Sequence, residues 1–210
     1  DRLLPEGENI IAVMGGTTMA VVAEQLSNLE NKKRHNLFVP ARGGIGEAIT
    51  VQANSVSARM AAKANGNHRA LYVPEQLSLA TYNSLLNEPS IQEVLNLISE
   101  ANCVIHSIGR ALHMAARRKM TEKELVMLKQ ANAVAESFGY FFNEKGEVVY
   151  KVPRIGIELQ DLEKVPIIMA IAGGKSKAKA IRAYMKNAPK QTWLITDEAA
   201  ANEILKGVTL

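Results

Sequence analysis

The feature that most constrains this chain is an alternation of short apolar runs with helix-patterned segments. Residues 10–14, 37–40, 70–73, 103–108, 167–172 and 193–196 are apolar runs, each followed by helical spacing. The helices expected behind them cover 19–26, 51–64, 79–86, 91–100 and 111–120. Strands alternating with helices imply a mostly parallel sheet with helices on both faces, because a parallel crossover needs a helix to return the chain. Ile167-Ile168-Met169-Ala170-Ile171-Ala172 reads as a buried parallel strand, apolar without alternation. Tyr140-Phe141-Phe142 and Val148-Val149-Tyr150 flank Asn143-Glu144-Lys145-Gly146 and predict a small β-hairpin excursion. Residues 156–162 read as an irregular link back into the sheet. No low-complexity linker interrupts the chain, so residues 1–210 read as one domain.

Charge and cysteine content narrow the function classes. The 25 Lys and Arg exceed the 21 Asp and Glu by four, and the basic residues cluster only at 32–34 and 117–119. That excess is too mild for a general nucleic-acid surface but suits a small polyanion. Aromatic residues are only 5%, which argues against a base-stacking platform. The single Cys103 forms no internal disulfide and favours a reducing, cytoplasmic setting. The uncharged stretch 9–23 falls short of the roughly 20 residues of a membrane span. The start, Asp1-Arg2-Leu3-Leu4-Pro5, is not a signal peptide and lacks an initiator Met, so a fragment of a longer protein is expected.

Gly15-Gly16-Thr17-Thr18-Met19 ends the first apolar run. Paired glycines let a ligand approach the backbone, and the amides opening the next helix attract an anion. A plain strand-to-helix turn is the competing reading. Arg42, in Pro40-Ala41-Arg42-Gly43-Gly44-Ile45-Gly46, follows the second run at the same sheet edge, where its fork suits a phosphate. Gly173-Gly174-Lys175-Ser176-Lys177 repeats the theme, with lysines at a helix start where they oppose the dipole. Arg110 and Arg117 stand two helical turns apart, close enough to one face for one of them to reach a ligand. Gln52 and Glu136 are of a type to bond sugar hydroxyls. Among the other carboxylates, Glu47, Asp197 and Glu198, Asp197 reads first as a helix cap. No metal-ligand spacing, nucleophile elbow or acid–base pair stands out, so neither metal nor cofactor is expected.

Together, Gly15-Gly16-Thr17-Thr18, Pro40-Ala41-Arg42-Gly43-Gly44, Val51-Gln52-Ala53-Asn54 and Gly173-Gly174-Lys175-Ser176-Lys177 resemble the effector-binding domain of SorC-type transcriptional regulators, grouped with DeoR-type repressors. The resemblance covers essentially the whole chain. It implies a Rossmann-like domain related to sugar-phosphate isomerases and deaminases. It implies Lys177, rather than Lys175, as the family's lysine, and adds Gln52, Arg117, Arg118 and Glu136 as effector contacts. Around Arg42 and through residues 111–119 the wording is similar to members that govern glycolytic genes. That implies fructose 1,6-bisphosphate as an effector that relieves repression.

The resemblance further implies operator DNA bound by an N-terminal helix-turn-helix absent from this chain, and a homo-oligomer, dimer or tetramer, with no membrane partner. The expected assignment gives one phosphate to the Gly16–Met19 amides, the Thr17 and Thr18 hydroxyls and Lys177, and the other to Arg42 and Arg117. An enzyme on the same scaffold, an isomerase or deaminase, is the alternative, and an assembly domain with purely structural Gly-Gly turns is the third.

Overall fold

The computed structural model describes residues 3–26, 33–44, 48–74 and 78–206. Lys32, Ile45, Gly46 and Glu47, which belong to the basic cluster, the glycine-rich stretch and the carboxylates above, lie outside the described residues. The architecture is mixed α/β, with a mostly parallel sheet of six strands, helices, and a smaller antiparallel sheet of four. The chain divides into two compact units, Asp1–His106 with Pro153–Met169, and Ser107–Val152 with Ala170–Leu210.

In the first unit, β1 (Gly7–Val13) pairs in parallel with β2 (Arg34–Pro40), from Gly7 opposite Arg34 to Val13 opposite Pro40. On its other side β1 pairs in parallel with β4 (Cys103–Ser107), Ile11 opposite Cys103. The short β3 (Asn67–His68) adds to β2. α1 (Thr17–Gln25) and α2 (Ala53–Lys63) follow β1 and β2, and α3 (Leu79–Leu86) and α4 (Pro89–Ser99) precede β4. Ala12, Val13, Met19, Ala23, Val39, Val56 and Met60 are fully buried, so the apolar faces of β1, β2, α1 and α2 supply this core.

The expected strand at 70–73 does not form. The side-chain amide of Asn54 takes both backbone groups of Leu71, accepting its N–H at 2.9 Å and donating to its carbonyl at 3.0 Å. A side chain thus replaces the ladder that a strand would have used. The paired strand is β3, a few residues earlier. The link at 156–162 instead contains a 3₁₀ turn, Leu159–Lys164, before β9 (Ile167–Ile171).

In the second unit, β5 (Gly109–Arg110), β6 (Ala133–Ser137), β7 (Tyr140–Asn143) and β8 (Val148–Lys151) form the antiparallel sheet in that order. The expected hairpin is β7–β8, and β6 and β5 enlarge it. Asn143 shapes its turn by accepting the amides of Lys145 at 2.9 Å and Glu147 at 3.0 Å. α5 (Ala111–Arg117) and α6 (Glu122–Gln130) belong to this unit. Ala111, Ala115, Leu128, Phe141 and Val152 pack together as its core. α7 (Ala178–Met185), β10 (Thr192–Ile195) and α8 (Glu198–Leu205) complete it. Among the described residues no helix is long and apolar enough to cross a membrane.

Candidate functional site

In the first unit the structure gathers Gly16–Met19, Arg42 and Gln52 around the carboxyl ends of β1 and β2. Gly16 adopts φ 122°, a region that favours glycine, and forms the N-cap of α1. With no side chain, it cannot bond the first-turn amides itself. Its own N–H donates to the Val51 carbonyl at 2.7 Å. A Cβ on Gly15 would stand 2.6 Å from that carbonyl oxygen and 2.7 Å from the Ala53 nitrogen. The first Gly-Gly turn is therefore pressed against the entry to α2, where Gln52 is the N-cap. Thr17 is exposed and Thr18 half-buried, whereas the Met19 side chain lies wholly in the core. Met19 can offer a ligand only its backbone.

Arg42 is 5% exposed and sits in a short antiparallel bridge with Gly156. Gly43 donates to the Ile155 carbonyl at 3.0 Å and Ile157 to the Ala41 carbonyl at 2.8 Å, fixing the backbone on both sides of Arg42. A Cβ on Gly43 would meet the Val73 carbonyl at 2.6 Å, and one on Gly44 would lie 3.8 Å from Gln52 Oε1. The approach to Val73 explains Gly43, whereas at Gly44 a Cβ would meet only ordinary contact.

In the second unit Lys177 ends the 3₁₀ turn Lys175–Lys177 that opens α7. Burial, with the positive charges of Arg110 and Arg117, pushes its ammonium pKa down. A lysine in a positive field marks a place where an anion is welcome. Arg110, spaced to share a face with Arg117, is not among the residues that the family resemblance implies as contacts. Its Coulombic effect on Lys177 adds it to this group.

The second Gly-Gly turn differs from the first in one respect that the sequence did not reveal. Gly174 donates its N–H to Asp197 Oδ2 at 2.6 Å, while Asp197 Oδ1 caps α8 through Ala200 at 2.8 Å. The expected cap is present, and the same carboxylate also serves as the anion at this turn. An acidic residue directly after an apolar run was the visible signal. Its reach across 23 residues was not.

Arg118 and Glu136 form a buried ion pair, Nη2 to Oε1 at 2.9 Å, with side chains 0% and 5% exposed. Glu136 Oε1 also accepts the Gly139 amide at 2.7 Å. Phe138 (φ 55°) and Gly139 (φ 82°) form the tight turn between β6 and β7, an unusual conformation for a bulky residue. Glu136 therefore supports that turn as well as pairing with Arg118. A cavity of about 340 Å³ in this unit is lined by Arg110, His113, Val134, Ser176 and Lys179 among others. Among the described residues no group of three His, Cys, Asp or Glu could hold a metal ion.

The chain matches the Sugar-bind family model, a sugar-binding domain, over residues 1–206. It belongs to this sugar-binding domain family. Its relatives place the domain among SorC-type transcriptional regulators. It is 50% identical over 200 residues to the central glycolytic genes regulator of Bacillus subtilis, covering 95% of this chain and 58% of that protein. The chain therefore spans less than two thirds of that regulator's length. A SorC family transcriptional regulator from Enterococcus faecalis has a crystal structure that matches with TM-score 0.92 and 78% identity, covering 97% of this chain and 83% of that one. The full-length sorbitol operon regulator SorC from Klebsiella pneumoniae matches with TM-score 0.86 at 19% identity, over 97% of this chain and 67% of that one, a likeness of fold.

Proposed function

We propose that this chain is the effector-sensing domain of a transcriptional repressor of glycolytic genes, and that it binds fructose 1,6-bisphosphate without converting it. The observation that carries this reading is the Gly15-Gly16 turn. It opens α1 with a residue that has no side chain to cap the helix, against the entry to α2 at half-buried Gln52, while buried Arg42 follows the neighbouring β2. Such a helix start binds a phosphate through backbone amides, and Arg42 supplies charge. In this reading Lys177, in the positive field of Arg110 and Arg117, serves the same phosphate as the Gly16–Met19 turn, and Arg42 with Arg117 serves the other. Glu136 is suited to sugar hydroxyls. The likeness to the Bacillus subtilis regulator, half its residues identical, supports the glycolytic assignment. In a longer regulator, operator DNA is bound outside this domain and the protein acts as a homo-oligomer in the cytoplasm.

A sensor needs differential affinity between two arrangements, whereas an isomerase or deaminase needs an acid and a base beside the reacting carbon. The test is prolonged incubation with fructose 1,6-bisphosphate and with fructose 6-phosphate, followed by NMR of the sugars and by limited proteolysis. Both sugars should remain unchanged while the bisphosphate alone slows proteolysis. Conversion above the uncatalysed background would favour an enzyme.

A further inference from the structure

We propose that Arg118 is a positioning residue, which holds Glu136 so that one carboxylate oxygen is left to receive ligand hydroxyls and thereby sets selectivity for a hydroxylated ligand. This rests on the sugar-phosphate reading above and assigns Arg118 a part other than direct contact. Both bonds that Glu136 accepts fall on Oε1, from Arg118 at 2.9 Å and from the Gly139 amide at 2.7 Å. Among the described residues no donor bonds Oε2. A carboxylate has about four acceptor positions, so a residue only 4% exposed retains half of its capacity.

The surroundings hold the carboxylate in place. The Arg118 guanidinium lies over the Phe141 ring, 5.9 Å from its centroid, and Phe141 is fully buried in the core of the second unit. Arg118 is thus anchored from below, and through it Glu136. Gly109 is the register partner of Glu136 across β5 and β6. A Cβ at position 109 would clash with Met114 Cγ at 2.5 Å and lie in ordinary contact with Oε2 at 3.4 Å, so Met114 explains the glycine, and Gly109 is the immediate neighbour of Oε2. A buried ion pair adds little stability over an apolar pair of similar volume. An oriented acceptor gives it a purpose that stability does not.

The experiment compares fructose 1,6-bisphosphate with hexane-1,6-diol bisphosphate, which has two phosphates and no hydroxyls. Affinities are measured by calorimetry for the wild-type chain, Arg118→Gln, Arg118→Lys, Glu136→Gln and the double variant Arg118→Gln/Glu136→Gln, each first shown to melt cooperatively. Arg118→Gln should weaken the sugar bisphosphate about tenfold or more and the hydroxyl-free ligand by less than about threefold. Arg118→Lys should fall between wild type and Arg118→Gln, and carries the test alone if Arg118→Gln does not fold. The double variant should lose no more than Glu136→Gln. Equal losses for both ligands, or losses that multiply in the double variant, would overturn the positioning role. Failure of the wild-type chain to bind either ligand would instead overturn the sugar-phosphate reading, and this inference with it.

Discussion

Asp197 holds the Gly174 amide at 2.6 Å, so the second Gly-Gly turn carries an internal carboxylate where a ligand's anion was expected. The first turn has a different neighbourhood, with the Val51 carbonyl bonded to Gly16 N–H at 2.7 Å. The resemblance between the two stretches of sequence thus hides a division of roles. At the second turn the Gly174 amide is taken by the protein's own acid, which leaves Lys177, at the end of that turn, as its group proposed for a phosphate. Asp197→Ala should therefore cost stability by loss of the α8 cap, about 1 kcal/mol in urea unfolding, with little effect on bisphosphate affinity. A large loss of affinity at unchanged stability would show that Asp197 acts on the ligand instead.

Arg42→Ala should weaken fructose 1,6-bisphosphate about tenfold or more, as the removal of a charge-assisted bond does. A neutral sugar should lose far less. Competition titrations with fructose and the bisphosphate separate the two, and equal losses would remove Arg42 from phosphate binding.

Lys177→Met should separate stability from binding. The lysine's pKa is lowered in the folded chain by burial, Arg110 and Arg117, so the folded state binds its proton less tightly than the unfolded state does. Below the folded pKa this charge opposes folding. Between the folded and unfolded values, stability rises with pH. Removing the charge should raise the melting temperature of the ligand-free chain at neutral pH, while bisphosphate affinity falls about tenfold or more. A lower melting temperature with unchanged affinity would make Lys177 a structural residue.

Tyr150 donates to Glu124 Oε1 at 2.7 Å, and burial with this bond pushes its hydroxyl pKa up to about 12. The folded state keeps the phenol proton that the unfolded state loses near 10, so this contribution is complete below pH 10 and is lost as pH rises towards 12. Tyr150→Phe should flatten that alkaline loss in urea titrations. An unchanged profile would mean that the hydroxyl does not contribute.

The parallel strands were legible because buried strands are continuous apolar runs, and residues 10–14 and 167–172 lie in β1 and β9 with only end differences. Residues 70–73 looked the same in sequence, yet Asn54 bonds Leu71 in place of a neighbouring strand. A contact 17 residues away leaves no local trace. α6 went unread although Thr121 and Glu124 form a capping box, a signal visible in the sequence. At the site, the Gly-Gly turns and Arg42 were legible as residue types at strand ends. The Arg118–Glu136 pairing was not, since it depends on how β6 meets the end of α5.

The central claim is tested most directly by calorimetric titration of the chain with fructose 1,6-bisphosphate, with fructose as control, alongside thermal unfolding. The bisphosphate should bind saturably, stabilising the folded chain by about 2.7 kcal/mol at 100 times its Kd, and fructose should not. No heat and no shift in melting temperature at millimolar bisphosphate would contradict the account.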